Sequence, residues 1–220
     1  MQQKDKKTAL VVSNGDNDIL FLQKIHSSYD LIVAADGAAD KLSKAGIRPD
    51  VIVGDLDSID DKVLKDHTQS EVELVALQRD KDHSDTHVAL ELVKDRGFFR
   101  IDLVGAFGSR WDHSIGNLNL LYWAYRNGLD LQLISPNNSI GYYKKGHYFF
   151  PKKENTYWSC LALFEDALID ISNMKYTGQD LLVRQGESIG LSNEYLKEDG
   201  ELNIKKGSVL VIQSQMDRSE

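Results

Sequence analysis

Ile101-Asp102-Leu103-Val104-Gly105-Ala106-Phe107-Gly108-Ser109-Arg110-Trp111-Asp112-His113 is the stretch on which the fold turns. A short branched-apolar run ends at a glycine, a loop with a second glycine comes next, and a helical period then begins. Between His113 and Asn127 the residues Ile115, Leu118, Leu121, Tyr122 and Tyr125 recur at three- and four-residue steps, and Gly128 supplies a stop. The same order repeats on either side. Apolar runs at Ala9–Val12, Leu31–Ala35, Val51–Val53, Val72–Leu77 and Leu129–Ile134 are nearly continuous Val, Ile and Leu, as strands buried on both faces require. Asp85–Arg96 carries a second helical stripe, Val88, Ala89, Leu92 and Val93, ended by Gly97. Such alternation predicts a mostly parallel sheet with right-handed crossovers.

Past Pro136 the helical period disappears. Short strand-like runs take its place at Ser139–Tyr143, His147–Phe150, Trp158–Phe164, Leu168–Ile171, Leu181–Val183 and Ser208–Gln213. Turn signals separate them: Pro136-Asn137-Asn138, Lys145-Gly146, Gly178, Gly186, Asp199-Gly200 and Lys206-Gly207. A small antiparallel β domain, a sandwich, is expected there. The boundary falls within 135–145, which divides the chain into domains 1–140 and 141–220.

Composition narrows the function classes. The net charge of −8 disfavours general nucleic-acid binding, which needs clustered Lys and Arg. Local phosphate binding through a metal ion and backbone N–H groups stays open. The single cysteine, Cys160, allows no internal disulfide, fits a reducing cytoplasm, and sits in an apolar run as a small buried hydrophobe. Met1–Lys7 is polar with no apolar segment behind it, so no signal peptide is expected, and no apolar run is long enough to span a membrane.

In open α/β sheets ligands bind beyond the carboxyl ends of the strands. The residues just past each strand are therefore informative. Asp36-Gly37 comes after Leu31–Ala35, and Gly54-Asp55-Leu56-Asp57-Ser58 after Val51–Val53. Asp80-Lys81-Asp82-His83-Ser84-Asp85 comes after Val72–Leu77, and Gly105 to His113 after Ile101–Val104. Four strand ends thus deliver carboxylates to one edge. Asp55 and Asp57 are two apart and point the same way in extended chain. Asp82 and Asp85 are three apart and can share a face. Packed carboxylates repel one another, and a hard divalent cation such as Mg²⁺ removes that penalty while taking further ligands from phosphates. Arg110 offers a planar fork for phosphate oxygens, and Gly105 and Gly108 let the backbone approach a ligand. Taken singly, an Asp-X-Asp pair is usually a solvated turn, the charges around Lys81 an ordinary ion-pair patch, Asp112 a helix cap, and His113 a helix-start residue. Their coincidence at one edge is what points to a site. His26, His67, His87 and His147 lie outside these clusters and read as structural or solvent-facing.

At these residues the chain resembles the thiamine pyrophosphokinase family. The matching segments are Ala35-Asp36-Gly37-Ala38-Ala39, Gly54–Ser58, Asp80–Asp85 and Gly105–His113, with Asn117 four residues on. Met174-Lys175-Tyr176 and Gly190-Leu191-Ser192-Asn193-Glu194 match more loosely. The resemblance implies a Rossmann-like α/β domain that binds ATP and Mg²⁺, a C-terminal β-sandwich that binds thiamine, and a homodimer with active sites at the subunit interface. It implies diphosphate transfer from ATP to thiamine, releasing AMP. Asp55, Asp57 and Asp85 belong by resemblance to the Mg²⁺ and diphosphate site, lined by Asp82, Arg110 and Asp112, with Asp36, Gly37, Gly105, Gly108, His113 and Asn117 on the nucleotide. Ser192 and Asn193 correspond to thiamine contacts, and Tyr176 stands where relatives place an aromatic, often Trp. Ala38 in place of a second glycine and Ser84 in place of a common Thr are small-for-small departures. Asp82 and Asp112 both remain candidates for the general base. Two rivals use the same residues differently: a metal-dependent phosphohydrolase, and a catalytically silent nucleotide-binding regulator.

Overall fold

The computed structural model describes residues 7–55, 72–77 and 82–216, which form two compact units, Met1–Pro136 and Asn137–Glu220. In the first unit the described strands are β1 (Thr8–Val12), β2 (Leu31–Ala35), β3 (Val51–Gly54), β4 (Glu73–Ala76), β5 (Arg100–Val104) and β6 (Asp130–Ile134). They pair in the order β6-β5-β1-β2-β3-β4, and every pair is parallel. The described helices are α1 (Ile19–Ile25), α2 (Ala38–Lys44), α3 (Asp85–Asp95) and α4 (Trp111–Arg126). This is the doubly wound sheet the alternation predicts.

Side-chain alternation builds its two layers. Leu10, Val12, Ile32, Ala34 and Ile52 join Leu22 of α1 and Ala38, Ala39 and Leu42 of α2 in one buried cluster. The alternate residues Ala9, Val11, Val33, Val51 and Val53 are equally buried, as are Ala89, Leu90 and Val93 of α3, which packs on β1, β2 and β3. Each fully buried Leu or Ile contributes about 1.5–3 kcal/mol of transfer free energy. Gly97 and Gly128 end α3 and α4 with positive φ (80° and 73°), as their sequence positions predict.

The strand order has one functional consequence. After β4 at one edge the chain returns to the centre and adds β5 on the other side of β1. The winding direction therefore reverses between β1 and β5, and that point opens a crevice at their carboxyl ends.

The second unit is antiparallel. Its strands are β7 (Asn138–Phe150), β8 (Thr156–Leu161), β9 (Ala167–Ser172), β10 (Gly178–Val183), β11 (Asn193–Glu194) and β12 (Gly200–Gln215). Two of the expected turns are not turns. Lys145-Gly146 lies inside β7, because β12 pairs with that strand along its whole length, from Gly200↔Phe150 to Ser214↔Asn138. Lys206-Gly207 is a bulge in β12, where the register shifts between Ile204 and Ser208. Gly207 takes φ 77° there, and a Cβ would lie 1.9 Å from the Asp166 carbonyl oxygen, so only glycine fits. Before the bulge β12 pairs with β9, and after it with β8. The β7–β12 ribbon is thus common to two sheets, whose inner residues Trp158, Cys160, Ile169, Ile171, Leu202, Ile204, Val209 and Val211 share one core. That is a sandwich with a bent corner. Cys160 is fully buried, and burial pushes its thiol up to about 12, as expected of an inert apolar residue. Among the described residues no helix is long and apolar enough to cross a membrane.

Candidate active site

Two glycine loops interlock at the point where the winding reverses. Ser13–Asn17 comes after β1, and Gly105–Gly108 after β5. The Gly15 N–H donates to the Gly105 carbonyl (3.0 Å) and the Asp16 N–H to the Phe107 carbonyl (2.6 Å). A Cβ on Gly15 would lie 2.2 Å from both of those carbonyl oxygens, and one on Gly105, at φ 70°, would lie 2.3 Å from the Ser13 oxygen. The backbones are therefore closer than any side chain permits. Asn117 of α4, buried, donates from Nδ2 to the Ala106 carbonyl at 2.7 Å and fixes the second loop. The Lys41 ammonium of α2 donates to the carbonyls of Asn14 (2.8 Å) and Gly15 and fixes the first. Burial holds the Lys41 pKa below the ordinary lysine value, with Asp16 opposing that shift.

A cavity of about 350 Å³ lies among these loops. Of the residues singled out in the sequence, Asp36, Gly105, Gly108, Arg110, His113 and Asn117 line it. Asp36, just past β2, is in the left-handed region (φ 54°), one oxygen 3.4 Å from Asn14 Nδ2 and the other buried without a hydrogen-bond partner. Gly37 opens α2, where a Cβ would lie 2.6 Å from Asn14 Nδ2. Asp85, the first residue of α3, stands beside the end of β3: its Oδ1 is 3.6 Å from where a Gly54 Cβ would be, and Asp36 Cα is 3.2 Å from the same point. Asp55 is the residue directly after Gly54. The carboxyl ends of β2 and β3 and the first turn of α3 thus gather Asp36, Asp55 and Asp85 in one neighbourhood. Asp57 lies outside the described residues.

Arg110 precedes α4 and pairs with Asp112 at 2.6 Å, both side chains exposed. The Arg110 guanidinium, helped by the His113 backbone, holds the Asp112 carboxyl at about 2. Asp112 is not the cap of α4; Arg110 holds that position, without a side-chain capping bond. Asp82 is exposed.

Oxygen donors of this kind suit a hard divalent cation, and the orphaned buried oxygen of Asp36 marks a place where the protein alone leaves an acceptor unsatisfied.

Within the second unit, Tyr176, Ser192 and Asn193 meet at a cavity of about 750 Å³. Asn193 is buried and spends its amide on the Tyr176 backbone, accepting from its N–H (2.9 Å) and donating to its carbonyl (2.7 Å). That leaves the Tyr176 ring exposed at the rim, with Lys175 Nζ 5.7 Å from its centroid. Ser192 is exposed and left-handed (φ 58°), its N–H bonded to Ser159 Oγ at 3.0 Å.

Sequence reasoning missed Ser13–Asp16 and Lys41. The rule that found the other loops, applied to the end of Ala9–Val12, would have found Asn14-Gly15-Asp16. Lys41 carries no such signal, since its role depends on where α2 packs.

Residues 22–133 match the family model described as "Thiamin pyrophosphokinase, catalytic domain". The thiamine pyrophosphokinase of Bacillus subtilis (strain 168) is 28% identical over 211 residues, which cover 94% of this chain and 99% of that protein. Thiamine pyrophosphokinase 1 of Oryza sativa subsp. japonica is 33% identical over 106 residues, 46% of this chain and 39% of its own length. Among solved structures, the B. subtilis thiamine pyrophosphokinase superposes with a TM-score of 0.85 at 27% identity, covering 95% of this chain and 99% of that one. A thiamin pyrophosphokinase family protein from Enterococcus faecalis gives 0.83 at 26% identity, covering 96% and 100%.

Proposed function

This chain belongs to the thiamin pyrophosphokinase family, and we propose how its own residues divide the work of moving a diphosphate group onto thiamine. In this reading ATP is the donor, AMP leaves, and the thiamine hydroxyl attacks the β-phosphorus. The observation that carries it is the interlocked glycine cradle where the sheet reverses its winding, with Asp36 lining the same cavity.

Phosphoryl-type transfer asks little covalent chemistry of a protein; it needs in-line positioning and neutralisation of charge. The crevice formed by Ser13–Asp16 and Gly105–Gly108 receives the nucleotide. Lys41 and Asn117 act as positioning residues, holding the two loops in register. The amino end of α4 places a partial positive charge at the same opening. Arg110, at that end, leaves Asp112 to engage phosphate oxygens with its planar fork. Asp55, Asp57 and Asp85 would hold Mg²⁺, which supplies charge neutralisation on the diphosphate when bound. Asp82 or Asp112 accepts the hydroxyl proton. Tyr176, displayed by Asn193, offers a ring face to the cationic vitamin, with Ser192 beside it. The protein works as a homodimer in the cytoplasm.

Separation of the nucleotides by HPLC tests this. With Mg²⁺ and ATP, AMP and thiamine diphosphate should appear together, and only when thiamine is added. Inorganic phosphate released without thiamine would favour the phosphohydrolase instead; no turnover with retained ATP binding would favour the silent regulator.

A further inference from the structure

His83, His87 and Glu91 lie four residues apart along the chain that enters and forms α3. Their potential ligand atoms all fall within 4.8 Å of one another, the one such His/Cys/Asp/Glu group of three among the described residues. His83 Nδ1 is 3.7 Å from one Glu91 oxygen, and His87 Nε2 is 3.9 Å from the other. Both separations exceed hydrogen-bond length and act as ion pairs only when the imidazoles are protonated. They are close to the spacing of about 3.3–3.5 Å between ligands that tetrahedral bonds of about 2.0–2.1 Å require.

The middle residue is the most informative. The His87 ring packs edge-on against Trp123 of α4, centroids 4.7 Å apart, which fixes it, and stacks on His83 at 4.0 Å and 18°, so the exposed His83 ring must turn for both lone pairs to meet one ion. Its Nε2 is buried and has no hydrogen-bond partner. A buried imidazole nitrogen left unsatisfied is costly unless something binds it.

We propose that His83, His87 and Glu91 form a site for a borderline divalent cation of the zinc class. Two imidazoles and one carboxylate select that class over Mg²⁺, which prefers oxygen ligands and octahedral geometry. Three protein ligands leave a fourth position to water. The site is chemically separate from the carboxylates of Asp36, Asp55 and Asp85, although Asp85 also lies on α3. His83 precedes the Ser84 cap of that helix, so a bound ion joins the entering chain to the first and second turns.

The test uses the full chain, stripped with EDTA and held in excess Mg²⁺ to occupy oxygen sites at the carboxylates. Calorimetric titration with Zn²⁺ should give one ion per chain. Co²⁺ should give the intense visible bands of a tetrahedral site. His83→Gln, an exposed change, and the double variant His83→Gln/His87→Gln should each weaken Zn²⁺ binding at least about tenfold, with far-UV circular dichroism confirming that each is folded. Asp85→Asn should leave Zn²⁺ affinity unchanged. Absence of Zn²⁺ binding in excess Mg²⁺, equal affinity in folded His83→Gln, or loss of the site in Asp85→Asn would each overturn the assignment.

Discussion

Ser13 and Thr86, 73 residues apart, share a buried hydroxyl–hydroxyl hydrogen bond of 2.7 Å. It ties the carboxyl end of β1 to the first turn of α3, one residue from Asp85. Thr86→Val should destabilise the fold by about 1–3 kcal/mol, because it strands the Ser13 hydroxyl. Ser13→Ala with Thr86→Val should cost less than the two single changes added together. A denaturant-melt double-mutant cycle with a coupling energy below about 0.5 kcal/mol would show that the bond carries no weight.

Gly15 and Gly116 should respond oppositely to alanine. At Gly15 the added Cβ meets two carbonyl oxygens at 2.2 Å, so the loops must part. A loss of at least about 2 kcal/mol, with loss of turnover, is expected. At Gly116, in the middle of α4, an added Cβ meets nothing within 4 Å. Alanine there should stabilise by about 0.5–1 kcal/mol through helix propensity. Thermal melts of the two variants decide the matter.

Asp85→Asn should cut kcat on the order of 10²-fold or more while leaving the circular dichroism spectrum intact. Near-normal turnover at ordinary Mg²⁺ would remove Asp85 from the metal and diphosphate site.

Arg110→Lys keeps the charge and loses the fork. Steady-state kinetics should show kcat falling more than apparent thiamine affinity. Weaker thiamine binding with kcat unchanged would take Arg110 away from the phosphates.

Tyr29 donates to Asp102 at 2.6 Å beneath the sheet. Burial, then the Asp102 bond, raises the Tyr29 pKa above its ordinary value. The folded value exceeds the unfolded one, so this stability is present below about pH 10 and is lost as pH rises beyond it. Tyr29→Phe should lower stability by about 1–3 kcal/mol at neutral pH, because Asp102 loses its donor, yet flatten the decline above pH 10. Tyr195, raised chiefly by burial, shares the alkaline decline, so the flattening is partial. Urea melts at pH 7.5 and 10.5 test both signs; an unchanged alkaline slope would refute the coupling.

The parallel sheet was legible because its central strands β1, β2 and β3, buried on both faces, leave nearly continuous apolar runs. β4 at the edge is not buried on both faces, with Glu73 and Ala76 exposed, and β5 and β6 admit Asp102 and Gln132. The carboxylate edge was legible because Asp36, Asp55 and Asp85 each come after such a run. The Ser13–Asp16 half of the cradle was not, for a physical reason: its importance comes from β1 lying beside β5, and neighbours in a sheet are not neighbours in the chain. The β unit misled at Lys145-Gly146 and Lys206-Gly207. A glycine beside a lysine reads as a turn, whereas long-range pairing turned one pair into strand and the other into a bulge. The edge-on contact of His87 with Trp123 was not legible, because it depends on how α3 and α4 pack, whereas its i,i+4 spacing to Glu91 lies within one helix.

The bent β7–β12 ribbon has a consequence for folding. Its partners are far apart in sequence, Asn138 opposite Ser214 and Phe150 opposite Gly200, so a large loop must close before the first rung forms. Until it closes, β8 lacks its β12 neighbour and β9 lacks the other half of the same strand. Neither sheet can be completed alone, and neither can open alone. The amides of β7 and β12 should therefore be the last of this unit to exchange with deuterium, at a rate set by unfolding of the whole sandwich.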